Sequence, residues 1–276
     1  MGNTENFDQI GIWSEIKIKI VEKYASAYSR ILALQKEKGR NFYYVYIDGF
    51  AGSGQNISRA TGEIIFGSPL AVLQVEPKFS EYHFVDLKRR KVDQLRKLVS
   101  GYKNVHVHEG DCNDILLKDV LPTIRYDRFQ RGLCLLDPYG MHLRWEIIQL
   151  AGHSKSIEIF LNFPIGDMNR NVFRRNQSSV NPKDIERLNT YWGDESWKDV
   201  VYRRDGNLFG WPEKVRNEEI VEGFRKRLIN VAKFKHVPKP IPMKNSKGST
   251  IYNLFFASNH DLGGKIADSI LKKYKQ

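Results

Sequence analysis

Apolar positions recur at helical spacing near the start of the chain and then in short blocks broken by turns. Over 13–36, Trp13, Ile16, Ile20, Val21, Tyr24, Ala25, Tyr28, Ile31 and Leu32 fall near one stripe, which predicts an amphipathic helix. Lys17 interrupts the stripe; its stem is expected along the apolar face with the ammonium in water. Next come FYYVYIDGF, a buried strand ending at a turn, and SPLAVLQVE, a helix. YHFVDL is a second strand with Asp86 near its end, followed by the helix KRRKVDQLRKLVSGY. VHVHEGD reads as a third strand, CNDILLKDVLPTI as a helix, RGLCLLDPYG as a fourth strand, RWEIIQLAGHS as a helix and SIEIFLNFPI as a fifth strand. Alternating strands and helices predict an α/β fold with a doubly wound, mostly parallel, Rossmann-like sheet, because parallel neighbours need crossover connections.

Residues 171–236 lose the strand period and carry YWGDESW, FGWPEK and VEGFRKRLINVAKF, which predicts a helical insertion. HVPKPIPMKNSKGSTIYNLFFASN then predicts a terminal hairpin turning at KNSKGS, with an antiparallel last strand, and GGKIADSILKKY a final helix. The expected organisation is an N-terminal helical extension (1–40), a core (41–170 and 237–276) and the insertion (171–236). No internal repeat or low-complexity linker interrupts it.

A chain of 276 residues with 41% hydrophobic and 28% charged content can bury a sizeable core. No run of about twenty apolar residues predicts a membrane span, and MGNTENFDQIGIW lacks the regions of a signal peptide, so a cytoplasmic location is expected. Met1-Gly2 opens like a myristoylation site, but Asn6 stands where Ser or Thr is wanted. Cys112 and Cys134 are too few for a zinc or iron–sulfur set and read as packing residues, and His106 and His108 share one face of a strand. No metal is expected. The 44 Lys+Arg against 32 Asp+Glu give net +12, which favours a polyanionic partner such as nucleic acid without marking a site. The basic runs KRRK (88–91), RNVFRR (170–175) and RKR (225–227) can equally be solvated helix faces.

Ligands of such sheets bind outside the carboxyl ends of the strands, where Asp48, Asp86, Asp111 and Asp137 all follow apolar strand segments. YIDGFAGSGQN carries Gly49, Gly52 and Gly54 after Asp48. Gly49 to Gly54 has P-loop spacing, but Gln55 and Asn56 replace the lysine and the hydroxyl; Ile57 stands where a dinucleotide fingerprint needs its third glycine. The remaining reading is the S-adenosylmethionine loop of class I methyltransferases, Asp48-Gly49-Phe50-Ala51-Gly52-Ser53-Gly54. Gly52 and Gly54 would let backbone approach the cofactor, and Asp48 would organise the loop or the methionine ammonium. Asp86 would accept the ribose hydroxyls, and Asp111 the adenine amino group with Cys112 packed nearby. The long interval to Asp86 implies an insertion at QNISRATGEIIFGSP, a lid or a disordered or crossing loop.

LLDPYG, ending the fourth strand, matches in part the motif that receives a base amino group. Asp137 would accept or orient the amino proton and Tyr139 would shape or stack the target, which makes Asp137, Pro138 and Tyr139, with Asn162 assisting, the candidate catalytic residues. A plain Asp-Pro-Tyr-Gly turn is the alternative.

Together, WSEIKIKIVEKY, YVYIDGFAGSG, LLDPYG, IFLNFPIGDMNRN and NLFFASNH resemble the bacterial three-Cys-motif partner protein family. The resemblance is collinear through most of the chain. It implies a class I methyltransferase fold and a partner protein with a three-cysteine, radical S-adenosylmethionine-like motif. In FLNFPIGDMNRN, Asn162 would orient substrate and Phe163 would stack beside Pro164, while Asp167, Asn169 and Arg170 would bind polar groups; a capped helix start is the alternative. Arg174, Arg175, Arg203 and Arg204 are the insertion's candidate phosphate contacts. The leading expectation is methyl transfer from S-adenosylmethionine to a nucleic-acid amino group, and the alternative is a non-catalytic accessory subunit of the three-Cys-motif protein. A nucleotide hydrolase is disfavoured by the missing P-loop lysine.

Overall fold

The computed structural model describes residues 7–174, 179–203, 213–245 and 247–274; Arg175, Arg204 and Trp211 lie outside the described residues. After helix α1 (Ile12–Glu37) comes strand β1 (Tyr43–Asp48), then α2 (Ser68–Leu73), β2 (Glu81–Asp86), α3 (Arg89–Leu98) and β3 (Val105–Glu109). The one-turn helix α4 (Cys112–Ile115) runs on through a wider turn at Leu116–Val120 and a tight one at Leu121–Thr123, so the single helix expected there is broken. β4 (Gln130–Leu136), α5 (Trp145–Ser154), β5 (Ile157–Phe163) and α6 (Ile165–Asn171) follow. α7 (Pro182–Trp192), α8 (Trp197–Val201) and α9 (Asn217–Asn230) lead to β6 (Ile241–Lys244), β7 (Thr250–Ala257) and α10 (Asp261–Lys272).

The seven strands run in the order β3-β2-β1-β4-β5-β7-β6. β1 to β5 are parallel, and β7 is antiparallel to both β5 and β6. This is a mixed α/β, Rossmann-like sheet. The order reverses between β1 and β4, which opens a crevice at their carboxyl ends.

Alternation along the strands feeds two cores. Val45 and Ile47 of β1 face a layer containing Trp145, Ile148, Trp192 and Phe224. Tyr44 and Tyr46 face α1, α2 and α10 through Tyr24, Tyr28, Leu73 and Ala267. α1 is therefore part of a core. It runs the height of the sheet: Lys17 is paired with Asp137 beyond the carboxyl end of β4, and the Tyr24 hydroxyl donates to Glu158 near the amino end of β5.

Three expectations change. Lys17 does not hold its ammonium in water but is 6% exposed, because α1 lies flat on the sheet and Asp137 supplies the counter-charge. The segment after the glycine loop is ordered: strands Gln55–Ser58 and Ile64–Phe66 pair antiparallel, and Asp8–Ile10 adds in parallel. In the insertion, Trp192 and Trp197 are buried and packed with Phe224 or Phe173. Arg227 of the RKR run is held by the Trp192 carbonyl (2.6 Å), Asp194 (2.6 Å) and the Trp145 ring (4.6 Å), so it serves structure. Among the described residues, no helix is long and apolar enough to cross a membrane.

Candidate active site

A cavity of about 450 Å³ opens at the switch point, walled by Gly49 and Phe50 after β1, Asp86 at the end of β2, Asp111 and Cys112 after β3, and Tyr139 after β4. α7 of the insertion closes another side with Glu186, Arg187 and Thr190. The parallel strands bring these residues together because all five carboxyl ends lie on one edge of the sheet.

The glycines act in different ways. Gly49 forms the wall itself: a Cβ there would meet Cys112 Sγ at 2.7 Å. Gly52 turns with φ +66° and donates its N–H to Asp86 Oδ2 (2.9 Å). Gly54, with φ +84°, packs under α3, where a Cβ would be 2.8 Å from Leu95. Gly49 thus lines the cavity, while Gly52 and Gly54 shape the loop beside it. Ala51 and Ser53 are buried within it; the Ser53 hydroxyl donates to the Gln55 carbonyl (3.0 Å).

Asp48 is fully buried below the loop, accepting from Phe50 N (3.2 Å) and the Ser68 hydroxyl (2.6 Å). Burial pushes its carboxyl up to about 7 against the pull of these two donors. Asp86 accepts from Gly52 N and, through Oδ1, from Lys88 N (2.8 Å). A carboxylate has about four acceptor positions, so two remain for further donors. Asp111 caps α4 through Oδ1, which accepts from Asn113 N (2.7 Å) and Asn113 Nδ2 (2.9 Å), and its exposed side chain keeps capacity for an amino group. Cys112 is buried, and burial raises its thiol, so it is a packing group in this wall. Two carboxylates with spare acceptor positions, Asp86 and Asp111, and the side-chain-free Gly49 therefore share one cavity, a lining that fits the hydroxyl and amino donors of S-adenosylmethionine.

A polar cluster sits two residues before Tyr139 in the chain, outside the residues that line this cavity. Asp137 pairs with the Lys17 ammonium through Oδ2 and accepts from Asn162 Nδ2 through Oδ1 (2.8 Å). Burial alone would lower Lys17, yet Asp137, aided by Tyr252 and Asp48, leaves its ammonium raised. Asn162 is 6% exposed; its Oδ1 is buried without a hydrogen-bond partner, and its backbone carbonyl accepts from Tyr191 of α7 (3.0 Å). Pro138 is buried and turns the chain towards Tyr139, whose ring is 66% exposed at the cavity mouth, near Asp8 and Lys91.

The expected substrate contacts divide. Phe163 is fully buried, stacked on Phe224 at 4.4 Å and touching Tyr191, Trp192 and Phe255, so it packs the core and is not free to stack on a substrate. Pro164 is buried at the start of α6. Asp167 accepts from Asn171 Nδ2 (2.9 Å) and Arg170 (3.3 Å) and lies against Gly140. Arg170 is exposed and Arg174 bonds to the Arg170 carbonyl (3.0 Å), whereas Arg203 pairs with Glu219. Lys88, Lys91, Arg144 and Arg187 line the cavity instead. Arg144 and Arg187 carry no motif that marks them in the sequence. Lys17 does: a lone charge in an apolar stripe. Leu87, 72% exposed directly after Asp86, is a second unread signal.

No family model matches the chain, and no curated protein matches it. A crystal structure of a Legionella pneumophila protein of the DUF519 family superposes with TM-score 0.53 at 12% identity, covering 93% of this chain and 91% of the other, which shows a shared fold. Trm1 from Pyrococcus horikoshii in complex with S-adenosylmethionine aligns with TM-score 0.41 and 9% identity over 91% of this chain and 58% of its own. The CurJ carbon methyltransferase aligns with TM-score 0.39 and 12% identity over 86% and 54%. The chain's structural neighbours thus include S-adenosylmethionine-dependent methyltransferases.

Proposed function

We propose that this chain is an S-adenosylmethionine-dependent methyltransferase acting on an exocyclic amino group of a nucleic-acid base. The observation that supports the reading is the pair Asp137 and Asn162, two acceptors of which Asn162 Oδ1 has no protein partner, just before Tyr139 in the wall of the cavity at the switch point. An amino group offers two hydrogens and one lone pair. Holding both hydrogens on Asp137 and Asn162 leaves the lone pair free to point at a methyl carbon, and alignment of this kind supplies most of what methyl transfer requires. Asp86 would hold the cofactor's ribose and Asp111 its adenine, against the wall of Gly49, Phe50 and Cys112. The bound cofactor would supply a methyl group on a sulfonium. Asp137, fixed by Lys17, acts as an acceptor and orienting group, and the proton released by the methylated amine passes to it or to water. Tyr139 offers an exposed ring for a flipped base, and Lys88 offers a phosphate contact at the mouth, where Lys91, Arg144 and Arg187 are paired with Asp8, Asp114 and Asp184.

The test is calorimetry with S-adenosylmethionine, followed by labelled-methyl transfer to RNA and DNA pools. Asp137→Ala and Asn162→Ala are expected to lose roughly a hundredfold or more in turnover while retaining cofactor binding; undiminished turnover in either refutes its role. One observation favours a second reading, an accessory subunit of a three-Cys-motif protein: Asp137 already has a cationic partner in Lys17. Cofactor binding and a stable complex with such a protein, without methyl transfer to any pool, would select it.

A further inference from the structure

A second cavity, of about 540 Å³, lies at the opposite, amino edge of the sheet. Arg131 and Glu158, the second residues of β4 and β5, line it, whereas Asp137 follows the carboxyl end of β4. At about 3.3 Å per residue the two sites are roughly 20 Å apart. Its walls are aromatic and aliphatic: Tyr24, Tyr28 and Leu32 of α1, Phe42, and Tyr126.

Its polar groups are specific. Glu158 is 3% exposed, and each of its oxygens already takes one hydroxyl, Tyr24 on one and Ser258 on the other (2.7 Å), which leaves room for further donors. The Arg131 guanidinium lies over the rings of Tyr126 (4.1 Å) and Phe42 (4.9 Å), and donates through one nitrogen to the carbonyls of Tyr126 (3.3 Å) and Gln130 (2.8 Å). Tyr28, 8% exposed, has a buried hydroxyl without a partner, and so does Nε2 of His260 at the cavity wall. Buried polar atoms of this kind are normally satisfied.

This inventory selects a ligand class. A carboxylate or phosphate would face Glu158, and a cation would face Arg131. An aliphatic chain would leave the hydroxyl, imidazole, carboxylate and guanidinium unsatisfied. A neutral planar heterocycle fills the aromatic space, and adjacent N–H donors on its edge suit a carboxylate while ring or carbonyl acceptors suit an arginine. We infer that this cavity binds a guanine-type purine, with Glu158 accepting its ring N–H and amino group and Arg131 donating to its acceptors.

Equilibrium dialysis of the full chain with guanosine and with adenosine tests this, with folding of every variant followed by circular dichroism. Guanosine is expected to bind saturably and without competition from excess S-adenosylmethionine. Glu158→Gln, which replaces an acceptor with a donor, should weaken it about tenfold or more. Leu32→Trp, which fills the cavity from its half-buried wall, should abolish binding even if Glu158→Gln proves unstable. Adenosine lacks the ring N–H and should bind about tenfold more weakly. The inference is overturned by absence of saturable guanosine binding at millimolar concentration, by displacement with S-adenosylmethionine, by undiminished binding in folded Leu32→Trp, or by equal affinity for adenosine.

Discussion

Replacing Lys17 by Met removes one charge and little volume, so it isolates the ion pair at the carboxyl end of β4. The Lys17 side chain is 8% exposed and that of Asp137 28%. Breaking a fully buried pair costs about 3–5 kcal/mol because the remaining charge is stranded, whereas exposed pairs contribute about 0.2–1 kcal/mol. Asp137 can recruit water on its open side and keeps the Asn162 amide, so the cost should fall between these limits, at about 2–3 kcal/mol. The Met stem keeps the apolar contacts of the lysine stem, while the ammonium's contact with the Tyr252 ring (5.5 Å) is lost with the charge. Asp137→Asn in the Lys17→Met background should recover part of the loss by removing the stranded charge, giving a coupling energy of about 1–2 kcal/mol in a double-mutant cycle. Urea unfolding of the parent, both single variants and the double variant measures it. A Lys17→Met chain within about 0.5 kcal/mol of the parent, or single effects that simply add, would refute the conclusion that α1 supplies the counter-charge of Asp137.

Glu158 predicts a pH dependence: burial raises its carboxyl to about 7, opposed by Tyr24, Ser258 and Arg131. The folded state thus keeps a proton that the unfolded chain releases near pH 4.3, and stability falls as pH rises between about 4.3 and 7, on the order of 3 kcal/mol, then levels. Asp48, also raised to about 7, acts in the same direction. Glu158→Gln should remove its share, and an unchanged difference between denaturation at pH 5 and at pH 8 would sink the assignment. Gly49→Ala should cost about 1–3 kcal/mol by overpacking against Cys112 and weaken S-adenosylmethionine binding. Cys112→Ala in the same chain should relieve it, and calorimetry showing no rescue would place the fault elsewhere. Phe163→Ala should cost about 3–5 kcal/mol in thermal or urea unfolding; a near-neutral effect on stability with loss of substrate binding would return Phe163 to the substrate.

The period of apolar residues determined a great deal alone. Five parallel strands, their crossover helices and the reversed final hairpin are all legible from alternation and turns, because burying one face imposes a period on local sequence. So are the carboxylates at the strand ends, since each follows its own apolar block. What the order of residues could not determine is which groups meet across the sheet. Lys17 reads as a snorkelling lysine until α1 is laid against β4, 120 residues away, and Asp137 appears opposite it. Phe163 reads as a stacking ring until α7 and α9 close over it, and Arg227 as part of a basic run until Trp145 and Asp194 receive it. Glu158 shows nothing in sequence beyond one acid in an apolar strand; its elevated carboxyl and the cavity above it arise only when α1, β4 and α10 exclude water together. Periodicity is a local consequence of burial and can be read along the chain. Pairing, desolvation and cavity shape depend on segments distant in sequence, and only the tertiary structure decides them.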